Sequence, residues 1–163
     1  MTPLPTGVWA VDSQRSQIGF TVREMWGLRT VRGSVGEFEG SLIVQADGVT
    51  GELTIDADSL DTGNRRRDKH LRSPAFFDVD RHPQIVFTVT GLDALAVTGD
   101  LAIGGAREQL EIPVEVEEMD DGALLLEGKT AVSRRSAGLT WNMMGMIRGD
   151  ALLHAHLTLR RVG

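Results

Sequence analysis

Apolar and polar residues alternate along most of this chain, with the period of two that half-buried β-strands show. In Ser16–Arg23 the residues Ile18, Phe20 and Val22 fall on one face, after a short apolar strand at Val8–Val11. Val31, Val35 and Phe38 follow among glycines at 33, 36 and 40. Glycine inside a strand pattern marks a bulge or a sharp bend, which a closing barrel needs. Ser41–Val44 and Gly51–Asp58 read as a hairpin about Ala46-Asp47-Gly48, with Leu53, Ile55 and Ala57 on a shared face. Further strands are predicted at Gln84–Thr90 and Leu95–Ile103, then through Leu110, Ile112, Val114 and Val116, with Pro113 on the outer set. After the Asp120-Asp121-Gly122 turn, Ala123–Glu127 and Thr130–Arg134 are separate strands divided at Gly128. Leu139–Trp141 then precedes a Met-rich loop (Met143, Met144, Met146), and the last strand is Ala151–Arg160. Eight to ten short strands with regular turn signals predict a sandwich or a barrel.

One stretch breaks the pattern. From Ser59 to Pro83 the chain carries six Lys/Arg against four Asp, and it ends on Phe76-Phe77 between two prolines. Asn64 is placed to cap a short helix over 65–71, with Asp68 and Arg72 paired at i, i+4, and Ser73-Pro74 ends it. This stretch is the one long connection, at the place where a barrel interior would meet the polar end of a ligand.

Composition narrows the function. The chain of 163 residues fits one domain, 1–163, and its 41% hydrophobic and 25% charged residues are ordinary for a globular protein. Nineteen glycines punctuate strands rather than forming a low-complexity tract. Without cysteine, disulfide and thiolate chemistry are excluded. A net charge of −6 argues against non-specific nucleic-acid binding. No secretory signal and no apolar run of transmembrane length is seen, so the cytoplasm is the default location. No nucleophile elbow, P-loop, dinucleotide fingerprint or zinc-protease motif occurs, so neither an enzyme nor a cofactor is expected.

The motif residues are familiar. Trp9, Asp12, Ser16, Gly19-Phe20, Val31-Arg32-Gly33 and Phe38-Glu39-Gly40 come first. Then follow Ser59-Leu60 with Thr62, Arg67-Asp68, His70-Leu71-Arg72-Ser73, Phe76-Phe77-Asp78-Val79, and His82-Pro83 with Ile85 and Phe87. Gly99-Asp100-Leu101, Arg134, Gly138-Leu139 with Trp141, and Gly149-Asp150 complete the set. Together they resemble the YceI-like, polyisoprenoid-binding family along essentially the whole chain. The resemblance implies a lipocalin-like, eight-stranded antiparallel β-barrel with one short helix in its long connection. It also implies an apolar lumen for a long-chain isoprenoid lipid, either a polyisoprenoid or an isoprenoid quinone. Glu24-Met25-Trp26, Ala75 and Ser136-Ala137-Gly138 depart from the family's usual residues, the last in a way that changes the pore lining.

The candidate ligand-binding residues are Phe20, Val22, Phe38, Leu53, Ile55, Arg67, Asp68, His70, Leu71, Phe76, Phe77, Phe87, Leu101, Arg134 and Trp141. The apolar ones would line the lumen or simply fill a solid core. Phe76 and Phe77 would cover its mouth or anchor a loop. Arg67, Arg72 and Arg134 would receive a pyrophosphate or a quinone carbonyl, or pair with Asp61, Asp68 and Asp78. His154 and His156 leave two registers open for the last strand. Hydropathy turns Leu153, Ala155, Leu157 and Leu159 inward, whereas alignment to the family turns Leu152, His154 and His156 inward; hydropathy is preferred, and no metal site is expected. The reading is a lipid-binding carrier, with a homodimer left open. The alternatives are a small enzyme using Asp68 and His70, or a solid-core interaction module.

Overall fold

The computed structural model describes residues 4–24, 29–74, 77–93, 95–103, 105–132 and 147–163, with the backbone alone at 22–24, 29, 106, 132 and 147–151. Its strands are β1 (Gly7–Val11), β2 (Gln17–Glu24), β3 (Arg29–Val35), β4 (Phe38–Gln45), β5 (Gly48–Asp56), β6 (Leu60–Asp61), β7 (Gln84–Leu92), β8 (Ala96–Ile103), β9 (Ala106–Glu118), β10 (Leu124–Val132) and β11 (Ile147–Arg161); the helix α1 spans Arg65–Arg72. The segments make a closed eight-stranded antiparallel barrel. β1 with β2, β3 with β4, and β5 with β6 are halves of bent strands. β11 closes the ring by pairing its first part with β2 and its last residues with β1.

Two serines lock the bends. Ser16 Oγ donates to the Asp12 carbonyl at 2.6 Å and accepts from Thr158 N–H at 2.9 Å, holding the 13–15 turn against β11. Ser59 Oγ donates to the Asp56 carbonyl at 2.6 Å and accepts the Gly36 and Glu37 N–H groups, joining the β3/β4 and β5/β6 breaks. Each hydroxyl satisfies backbone groups that a bend removes from the ladder. Pro113, lacking an N–H, sits opposite Ala96 at the last step of the β8–β9 ladder, next to Val114, where pairing with β10 begins.

At the hairpin turns of the opposite end, Asp93 accepts from Leu95 and Ala96 N–H, and Asp121 accepts from Ala123 N–H and from Arg15 at 2.9 Å. These bonds hold both carboxyls below their ordinary value of 3.8. The turns are therefore tightest above that value and loosen as pH falls through the lowered ones.

Asn64 caps α1 as expected, its Oδ1 accepting from Arg67 N–H at 3.0 Å. The expected Asp68–Arg72 pair does not form. Asp68 turns inward, 7% exposed, and accepts both the N–H (2.9 Å) and the hydroxyl (2.5 Å) of Thr62. Arg72 reaches the other way, donating to the carbonyls of Asp58 and Leu60 and lying 3.2 Å from the Asp58 carboxylate. Two carbonyls of the broken β5/β6 strand and the Asp58 carboxylate together hold the Arg72 fork, while Asp68 is taken by Thr62. Past Ser73, the N–H groups of Phe77, Asp78 and Val79 bond back to the carbonyls of Leu71, Ser73 and Arg72, drawing the connection onto the barrel end. Gly128 does not divide a strand either: β10 runs unbroken, because Gly128 is paired on both sides, with Val114 and Ala155.

Removing the Asp68 carboxylate strands Thr62 and releases the helix. Asp68→Ala is expected to cost about 1–3 kcal/mol in urea unfolding, and Arg72→Ala a similar amount, with Arg66→Ala within about 0.5 kcal/mol of the parent.

Candidate functional site: an apolar lumen under the crossover

Directly paired residues of neighbouring strands share a face, so the register alone tells which side chains enter the barrel. One inward layer joins Thr130, Leu153, Phe20 and Gly33; the next joins Gly128, Ala155, Ile18 and Val35. Across the barrel, Leu101, Phe87, Leu53 and Gly40 form a layer, beside Leu110, Gly99, Val89, Gly51 and Leu42. Glycine thus recurs where the pattern delivers a side chain to the interior.

Each vacancy is occupied from the side. The Phe20 ring lies across Gly33, and a Cβ there would sit 2.9 Å from two of its ring carbons. The Phe87 ring lies across Gly99, where a Cβ would meet its Cζ at 2.7 Å. Leu42 covers Gly51, and Leu53 with Val11 covers Gly40. Rings that lie flat on the wall do not stand into the centre, and the centre stays open.

The result is a cavity of about 190 Å³ with an almost wholly apolar wall. It runs from Leu92, Val97 and Ile112 past Phe87 and Leu101 to Leu60, Ile103 and Phe77 at the crossover end. Toward the end where the chain begins, Trp9, Val44, Val49 and Leu124 are buried in a filled core and leave the cavity wall. At the other end Phe77, brought in by α1 and the turn after it, meets Phe20 edge-on with ring centroids 6.4 Å apart. Space for one water needs roughly 10–15 Å³, and apolar cavities of about 150 Å³ stay dry and take up benzene. This hollow suits hydrocarbon.

Of the predicted site residues, Phe20, Leu53, Ile55, Phe77, Phe87 and Leu101 come together on the cavity wall. Phe38 lies opposite Ile55 and is half-buried, off that wall. Leu71 is buried, 3% exposed, and packs in the core under α1. Arg67 donates through Nε to the Thr62 hydroxyl at 2.9 Å and through Nη2 to its carbonyl at 3.0 Å, so its fork is engaged with the chain. Arg72 is held by Asp58 rather than by Asp61, Asp68 or Asp78. Asp68 and His70 are not brought together: one side chain is buried and the other exposed. Phe76, Arg134, Trp141 and the Val22 side chain lie outside the described residues. On β11, Leu153, His154, Ala155, Leu157 and Leu159 border the cavity, but His154 and His156 are exposed on the other face of the strand, and His156 Nδ1 lies 2.7 Å from Glu127. No group of three or more His, Asp or Glu able to hold a metal ion occurs among the described residues.

The inward glycines were not recognised as site residues from the sequence. The signal was present, since Gly33, Gly40, Gly51, Gly99 and Gly128 each stand two positions from an inward apolar residue.

Residues 9–159 match the YceI-like domain. A UPF0312 protein of Pectobacterium atrosepticum is 30% identical over 112 residues, covering 64% of this chain and 58% of that protein. The protein YceI of Salmonella arizonae is 27% identical over 117 residues, covering 68% and 61%. The chain thus aligns with about three fifths of the length of these relatives. Among solved structures, BcnA of Burkholderia cenocepacia superposes with a TM-score of 0.79 at 19% identity, covering 91% of this chain and 98% of that one. A polyisoprenoid binding domain from Saccharophagus degradans, implicated in plant cell wall breakdown, gives 0.79 at 14% identity, covering 94% and 98%. The match over residues 9–159, on a barrel of this topology, places the chain in the YceI-like family.

Proposed function

We propose that this protein binds and carries a long-chain isoprenoid, with part of the chain held in the lumen. The observation that carries the reading is the unfilled apolar space itself. A domain built only for stability would close it, because each vacant volume forfeits dispersion contacts and costs about 24 cal/mol per Å³ when made by mutation. Burial of hydrocarbon recovers about 0.8 kcal/mol per CH₂, so one isoprene unit contributes roughly 3–4 kcal/mol before ordering costs. Membership of the YceI-like family supports the assignment, as does the likeness to a neighbour named as a polyisoprenoid binding domain.

Apart from Thr130 the inward layers of the wall are apolar, so the polar end of the ligand belongs outside, at the crossover. Arg67 and Arg72 are spent on Thr62, Asp58 and Leu60, which leaves a head group to other cations there. A space of about 190 Å³ accepts a short apolar segment; a longer chain requires Phe77 to move off Phe20. A binding protein also fits the separation of Asp68 from His70 better than an enzyme does.

Organic extraction of purified protein followed by mass spectrometry is expected to release a prenyl lipid or isoprenoid quinone in near-stoichiometric amount. Protein that is repeatedly empty, and takes up none when offered, contradicts the proposal. Leu101→Trp fills the lumen beside Phe87. It is expected to reduce retained lipid about tenfold or more while leaving the barrel's circular dichroism unchanged. Gly99→Val drives a side chain against the Thr88 carbonyl and the Phe87 ring and is expected to cost about 1–3 kcal/mol of stability along with the ligand.

A further inference from the structure

The surface charge is divided between the two ends of the barrel. α1 buries Asp68 and Leu71 and turns Arg65, Arg66 and Lys69 to solvent. None of these three has an ion-pair partner among the described residues. Arg81, at the same end, has an 82% exposed side chain and only a distant contact of 3.9 Å with Asp78. Of the acids nearby, Asp68 is buried against Thr62 and Asp58 pairs with Arg72, while Asp61, which accepts the Gly63 N–H at 2.7 Å, and Asp80 are exposed. At the opposite end the hairpin turns expose Asp47, Asp93, Glu118 and Asp120. Within a chain of net charge −6, the exposed face of α1 is therefore cationic, while the far end, which also carries Arg15, Arg160 and Arg161, is acidic at its hairpin turns.

We propose that the crossover end docks on an anionic lipid bilayer, with Arg65, Arg66 and Lys69 as its contact. The proposal rests on the carrier reading for its purpose, since it sets the Phe77 end of the lumen against the source of the lipid. The docking itself rests on charge. Long cationic side chains near an anionic leaflet each gain binding that decays within a Debye length, about 8 Å at physiological salt. The acidic far end is repelled, so the molecule arrives mouth first. A bilayer is favoured over a nucleic acid because three cations on one short helix follow no backbone track.

The test is flotation of the full chain with vesicles of phosphatidylcholine alone and of phosphatidylcholine mixed with phosphatidylglycerol. The parent is expected to float with the anionic vesicles only, and to be released by salt. The triple variant Arg65→Glu, Arg66→Glu, Lys69→Glu is expected to bind more weakly by on the order of a hundredfold. Arg65→Glu and Arg66→Glu place acids in the first helical turn, where they are favourable, which offsets the cost of Lys69→Glu in the last turn; the urea midpoint is expected to stay close to the parent's. It should also keep its extractable lipid. No flotation, equal flotation on neutral vesicles, or an unaffected triple variant overturns the docking and leaves the carrier reading standing. Tighter binding to a single-stranded oligonucleotide, lost in the same variant, overturns the bilayer as the partner. Flotation by protein that neither holds nor accepts a prenyl lipid supports the docking and rejects the carrier reading.

Discussion

In a small closed barrel, every inward side chain competes for the same limited volume. An eight-stranded barrel is just wide enough to be filled by its own side chains or to hold one small ligand. Here Gly33, Gly40, Gly51, Gly99 and Gly128 occupy inward positions, and the large residues beside them lie along the wall. The rings of Phe20 and Phe87 need glycine beneath them in order to lie flat. Replacing glycine with even one methyl would stand the rings up into the hollow or force the strands apart. Lumen and fold thus share one packing rule.

The crossover depends on that rule in turn. Phe77 against the edge of Phe20, with the buried Leu71 and Val79, anchors the connection to the barrel through apolar contacts. Its polar bonds are many: Thr62 with Asp68 and Arg67, Arg72 with the carbonyls of Asp58 and Leu60, and Ser59 with the β3/β4 bend. They fix the helix as a platform, and its cations left over face solvent. One end of the molecule therefore sets Phe77 and that end of the cavity beside the cations of α1, while at the other Trp9 is buried under Arg161 and the hairpin turns expose Asp47, Asp93 and Asp120.

Most of the barrel was legible because alternation is imposed directly by having one wet and one dry face. Phe20, Leu53, Ile55, Phe87 and Leu101 were found that way, and hydropathy turned Leu153 and Leu157 inward in preference to the two histidines. The errors share a cause. Gly128 reads as a gap between two strands because propensity is local, but ladders on both sides carry the strand through it. Asp68 and Arg72 have ideal spacing for a helix pair, yet each is claimed by backbone or hydroxyl groups from β5, β6 and the loop after them, which sequence spacing does not reveal. The hollow was inferred from a family resemblance, and its physical origin in inward glycines emerged only with the register.

Calorimetric titration of the delipidated protein with a short prenol, at several temperatures, addresses the central claim most directly. Saturable one-to-one binding with a negative heat-capacity change and little salt dependence is the expected signature of hydrocarbon entering a dry lumen. The absence of saturable binding, or binding whose strength follows salt while the heat-capacity change is nil, would contradict the account.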